Sequence, residues 1–142
     1  MRIMGLDVGE KRIGIAISDP MGWTAQGHSV LQRSVLEADV KNIGKLCRDY
    51  EVEKIVVGLP LNMDGSIGPK AREVEEFARS LETDLAIEIA YWDERLTTKS
   101  AERILIEADL SRRRRRQVID KMAAVHILQG YLDYQDSASK RV

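Results

Sequence analysis

The sequence predicts an α/β fold, a mixed central sheet of about five strands flanked by helices on both faces. Three observations carry that prediction. Two β-rich apolar runs open the chain with only a turn between them. Later apolar runs alternate with segments whose apolar residues recur at helical spacing. Lys54–Leu59 is a continuous apolar run stopped by Pro60, as expected of a strand buried on both faces. A three-strand meander followed by right-handed β-α-β units gives such a sheet.

In order along the chain, Arg2–Val8 and Lys11–Ser18 read as strands joined by a tight turn at Gly9-Glu10. Thr24–Leu31 is a third, weaker strand. Asp39–Tyr50 sets Val40, Ile43, Leu46, Cys47 and Tyr50 on one helical face. The buried strand Lys54–Leu59 follows. Pro69–Leu81 places Ala71, Val74, Phe77, Ala78 and Leu81 at helical spacing, with Pro69 suited to the first turn. Leu85–Trp92 is the next strand, and Thr98–Leu110 and Arg114–Tyr134 are helical.

The chain has 142 residues, 44% hydrophobic and 32% charged, which fits one folded domain spanning 1–142 and excludes a disordered chain. That length also excludes two-lobed ATPases and multi-domain polymerases. No apolar stretch approaches the ~20 residues that span a bilayer. No secretory signal pattern opens the chain. Cys47, the one cysteine, forms no internal disulfide and fits a reducing compartment. The net charge of −1 hides an uneven layout, since nine of the basic residues and only four acids fall between Arg95 and Lys121. A basic segment on an otherwise acidic chain points to a polyanionic partner rather than a membrane.

Three acids stand out. Asp7 interrupts an apolar strand, where an unpaired carboxylate is costly. It is either a core Asp satisfied by an amide or arginine, or a metal ligand. Asp93-Glu94 ends a strand, and ligands of parallel sheets gather at strand carboxyl ends. The alternative is an ordinary surface loop. Asp120 lies on the final helix one turn before Ala123 and Ala124, small residues that permit close approach to the sheet. Its bland reading is a pair with Lys121 or a preceding arginine. Together Asp7, an acid of Asp93-Glu94, and Asp120 offer oxygen ligands suited to Mg²⁺ or Mn²⁺. Such ions activate water and stabilise the leaving oxygen of a phosphodiester.

The run Arg112–Arg116 precedes Asp120 directly, with Arg116 one helical turn before it. It reads either as a solvated helix start or as a contact to nucleic-acid phosphates. Gly58–Pro69 is a long loop leading into a helix start, either a phosphate site or a connector turned at Asp64-Gly65. His28 and His126 lack metal-ligand spacing and read as structural, although His126 falls where an apolar residue is expected.

Four blocks in order resemble the YqgF/RuvX family, RNase H-like Holliday junction resolvases also described as pre-16S rRNA nucleases. They are Gly5-Leu6-Asp7-Val8-Gly9-Glu10-Lys11-Arg12-Ile13-Gly14 with Ser18-Asp19; Gly58-Leu59-Pro60-Leu61-Asn62-Met63-Asp64-Gly65; Asp93-Glu94-Arg95-Leu96-Thr97-Thr98; and Asp120-Lys121 through Tyr131-Leu132-Asp133. The resemblance covers nearly the whole chain. It implies an RNase H-like fold, a cytoplasmic nuclease of ribosomal RNA 5′-end processing, and catalytic, metal-binding acids at Asp7, Glu94 and Asp120. Lys11, Arg12, Arg95, Arg112, Arg113, Arg115 and Arg116 are the candidate nucleic-acid contacts.

Expected partners are pre-rRNA or branched DNA and ribosomal particles, with the chain a monomer or homodimer. Related resolvases carry an acid after the fourth strand, where this chain offers Asn62 and Asp64, and a second acid one turn along the last helix, where it has Ala123. The competing functions are a junction-resolving DNA endonuclease and a non-catalytic RNA-binding assembly module. A sugar-kinase-like ATPase needs two such domains and fails on length.

Overall fold

The computed structural model describes residues 2–96 and 112–139, with side chains over 2–96 and 118–136. Strands β1 (Arg2–Val8), β2 (Arg12–Ser18), β3 (Ala25–Gln32), β4 (Val52–Leu59) and β5 (Glu88–Asp93) form one sheet in the order β3-β2-β1-β4-β5. The opening meander is antiparallel, whereas β1–β4 and β4–β5 are parallel. Among the described residues the helices are α1 (Leu36–Asp49), α2 (Pro69–Leu85) and α3 (Arg112–Ser139), and a short 3-10 helix, Glu94–Leu96, follows β5. The predicted helix Thr98–Leu110 lies outside the described residues. Among those residues no helix is long and apolar enough to cross a membrane.

Strand alternation divides the core between the two faces. Met4, Leu6, Ile13, Ile15, Ile55 and Val57 pack against Val40 and Ile43 of α1 and Val74, Phe77 and Leu81 of α2. The opposite face presents Ala16 and Val56 to Ala124, Ile127, Leu128, Tyr131 and Leu132 of α3. On that second face the strands are unusually small-sided. A Cβ at Gly5 would lie 2.7 Å from the Leu128 Cβ, and one at Gly14 would run into the Asp120 carbonyl oxygen. The backbone of α3 therefore rests almost directly on β1 and β2, which brings Asp120 to the sheet.

Several boundaries differ from the sequence reading for local reasons. The Val8–Ile13 pair and the Gly9 N–H to Arg12 carbonyl bond (2.9 Å) put the first turn at Glu10-Lys11, not Gly9-Glu10. Helix α1 starts at Leu36, three residues before the expected start at Asp39, and the Asp39 carboxylate reaches back to accept from the Ser34 N–H at 3.0 Å. Leu85 belongs to α2 rather than to β5. It continues the helical face one turn beyond Leu81 and packs against α1 near Gly44, and Ala86, left-handed at φ 51°, then ends the helix.

Candidate functional site

Asp7 sits near the C-terminal end of β1, on the face that α3 covers. Its cross-strand partner is Gly14. On the other side, one residue beyond the Leu6–Val57 pair, lies Gly58. Both neighbours thus lack side chains. The space beside Gly58 is taken by Glu94, whose Oε1 lies 2.7 Å from where a Cβ at Gly58 would stand. Glu94 reaches this point because Gly58 pairs with Trp92 on β5, and the 3-10 turn beginning at Glu94 folds its side chain back over the strand end.

Asp7 and Glu94 are hydrogen-bonded to each other. Burial, then the Asp7 charge and that hydrogen bond, push the Glu94 carboxyl up to about 8. Glu94 therefore favours its protonated form beside the Asp7 carboxylate.

Asp120 approaches from α3, its backbone carbonyl against Gly14 and therefore one strand over from Asp7. Its carboxylate is bound by Arg12 Nε at 2.7 Å. Among the described residues no three His, Cys, Asp or Glu side chains are grouped to hold an ion. The structure brings Asp7 and Glu94 into contact but does not group Asp120 with them, since its carboxylate is turned to Arg12. Asp93 is engaged separately. Arg95 grips it with Nε and Nη2, the latter at 2.7 Å, and lowers its carboxyl below the usual range. The same guanidinium donates to the Met63 carbonyl at 3.2 Å, tying the β4–α2 loop to the end of β5. That loop is a compact turn, with Gly65 at φ 87° and the Asp64 carboxylate accepting from the Ser66 N–H.

Of the predicted phosphate contacts, Lys11 is exposed at the first turn, while Arg12 and Arg95 are spent on Asp120 and Asp93. The backbone of Arg112–Arg116 forms the start of α3, and the side chains of the run lie outside the described ones. His28 bonds Ser29 and Tyr50 through its two ring nitrogens, consistent with a structural role. His126 Nε2 is buried with no hydrogen-bond partner among the described residues.

A cavity of about 650 Å³ opens from the carboxylate pair along α2, between the end of β1 and the start of α1. Arg33 lines it, a residue that the sequence reading does not single out. No motif flags it, and only the register that seats Arg33 against the β1–β2 turn reveals its place, its N–H bonding the Lys11 carbonyl.

A family model described as RuvX: Holliday junction resolvase matches residues 1–134. The chain belongs to the RuvX family. A relative from Syntrophomonas wolfei, named "Putative pre-16S rRNA nuclease", is 68% identical over 133 residues, 94% of each chain. A relative of the same name from Moorella thermoacetica is 60% identical, covering 94% of this chain and 95% of its own. Among solved structures, RuvC of Thermus thermophilus aligns with a TM-score of 0.56 at 11% identity, over 96% of this chain and 97% of its own. The Fowlpox virus resolvase in complex with Holliday junction DNA aligns with a TM-score of 0.58 at 10% identity, over 95% and 99%. At such identities these likenesses show the fold alone, and that fold is RNase H-like. Within the RuvX chain, Asp7, Glu94 and Asp120 all lie inside the matched residues.

Proposed function

We propose that this RuvX-family chain, acting as one domain over residues 1–142, is a divalent-metal-dependent nuclease that cuts phosphodiester bonds of structured nucleic acid. Its proposed role is 5′-end processing of pre-16S rRNA in the cytoplasm, on ribosomal precursor particles. The observation that carries the reading is the half-buried Asp7–Glu94 carboxyl pair at the strand ends, open to a cavity. Two carboxylates forced together in a half-buried site are unfavourable unless a proton or a cation lies between them. The donors are all hard oxygens, which fits Mg²⁺ or Mn²⁺ and not zinc.

Asp7 and Glu94 would hold the ion, with Asp120 joining by exchanging Arg12 for it. When bound, such an ion lowers the pKa of a coordinated water and stabilises the leaving oxygen. For its part, Glu94 must give up its proton, so loading is linked to pH. Arg12, once released from Asp120, would offer a guanidinium fork suited to a phosphate. Lys11 and the Arg112–Arg116 run extend that cationic surface along the substrate backbone.

The test is isothermal titration with Mn²⁺, together with cleavage of an RNA carrying the 5′ leader of 16S rRNA. The wild type should bind and cut, and Asp7→Asn should do neither. Equal cleavage by both would discard the carboxylate assignment. The family description favours a second substrate, branched DNA. A resolvase must cut two strands symmetrically and so needs a dimer. A monomer in solution that leaves a synthetic four-way junction intact while cutting the RNA decides against it.

A further inference from the structure

The cavity beside the carboxylate pair carries charges that no phosphodiester would choose. Glu10, Glu73 and Glu76 line it, against Arg33 and Lys70. Its floor is different in kind. The Arg33 guanidinium lies over the Phe77 ring, 5.1 Å from the centroid, and Nη1 donates to the Gly9 carbonyl at 2.7 Å. It is thus fixed over the ring, with Nε also 3.6 Å from the buried Asp39 carboxylate, and its side chain remains 26% exposed. Arg33, Glu10 and Glu73 also border a second concavity of about 600 Å³ that continues past Lys11. A guanidinium held in place over an aromatic ring can offer its planar face as a stacking platform for a base. Carboxylates around its rim accept hydrogen bonds from amino groups and repel phosphate. The cavity volume suits a single nucleotide, and the Asp7–Glu94 end fixes how far such a base would sit from the cleaved bond.

We propose that this cavity takes one unstacked nucleobase of the substrate strand, stacked on Arg33 and read through its exocyclic amino group by Glu10, Glu73 and Glu76. The proposal rests on the nuclease reading for its biological meaning, but the pocket binds the base whether or not cleavage occurs. Cytosine, adenine and guanine carry the amino donor, and uracil and thymine lack it. The site therefore selects an amino-bearing base next to the cleaved bond.

The experiment uses the full chain, ¹⁵N-labelled, titrated with cytidine, uridine and ribose 5-phosphate. Cytidine should shift the Gly9, Val74 and Ser80 amides saturably. Uridine should bind roughly fivefold to tenfold more weakly, the difference made by one hydrogen bond to a charged acceptor. Ribose 5-phosphate should leave those amides unmoved. Ser80→Trp, which fills the cavity from α2, should abolish the cytidine shifts. Arg33→Lys, which keeps the charge and loses the planar face, should weaken them about tenfold, as removal of a stacking partner does. Glu73→Gln with Glu76→Gln, both exposed and outside the core, should bring cytidine down to the affinity of uridine.

Absence of cytidine shifts, or shifts unchanged in folded Ser80→Trp, would overturn the nucleobase site. Equal binding of cytidine and uridine would overturn its reading of the amino group, and shifts from ribose 5-phosphate would mark an anion site instead. Wild-type activity separates the two proposals. Cytidine binding by a wild-type chain that hydrolyses no phosphodiester in Mn²⁺ removes the nuclease reading alone. Hydrolysis without cytidine binding removes this inference alone.

Discussion

Glu94 is pushed toward its protonated form by its own burial and by the Asp7 charge beside it. Removing one of the two acids should release the other. Asp7→Asn keeps the shape and removes the charge, so metal-dependent cleavage should fall by at least ~10²-fold, the scale of losing a group that stabilises transition-state charge. Single-turnover cleavage in Mn²⁺ measures this. The pair also links stability to pH. With its carboxyl at about 8 in the folded chain against an ordinary value of 4.5, Glu94 keeps a proton that the unfolded chain releases. Its contribution is fully present below the unfolded value and is lost as pH rises through the folded one. In metal-free buffer the urea midpoint of the wild type should therefore drop between about pH 5 and about pH 8.5 more than that of Asp7→Asn, in which Glu94 loses its charged neighbour. Identical pH profiles for the two proteins would show that the carboxyls are not coupled.

At the scale of elements, two junctions are set by backbone. Ala86 ends α2 in the left-handed region at φ 51°, where a Cβ is strained. Ala86→Gly should raise stability by about 1 kcal/mol, read from the urea midpoint. At Gly14 the effect is opposite. The Asp120 carbonyl of α3 occupies the position that a Cβ would need, and backbone cannot step aside as a flexible side chain can. Gly14→Ala should cost about 2–3 kcal/mol by overpacking. It should also weaken Mn²⁺ binding, because it lifts Asp120 away from Asp7. Full stability in that variant would mean that α3 does not press on β2. Helical periodicity revealed α2 but not its end, because Leu85-Ala86-Ile87 is as apolar as a strand start. Only the packing of Leu85 on α1 decides between them.

Taken whole, the molecule sets an acidic centre against a basic helix start. Replacing Arg113, Arg115 and Arg116 with Gln should weaken nucleic-acid binding for all sequences alike. The slope of log K against log salt should flatten by about 0.7–0.9 for each phosphate left without its arginine. Metal affinity should hold, since no proposed ligand is removed. Filter binding over a salt series checks both, and an unchanged slope would reduce the run to a solvated helix start.

The sheet, its mixed character and the helices on both faces were legible in the chain, because alternation and helical periodicity are local properties that burial enforces one segment at a time. Asp7, Glu94 and Asp120 stood out as candidates, since acids in or beside apolar segments are conspicuous. The contacts that each makes did not. The Asp7–Glu94 hydrogen bond depends on register across three strands and on two glycines that clear the sheet face. The engagement of Asp120 by Arg12 joins residues 108 apart. Arg33 is the sharpest case. Nothing around it in sequence marks it, and its role arises only where the β1–β2 turn, α1 and α2 converge. Pairings of this kind are set by the packing of distant segments, and no local pattern in the chain encodes them.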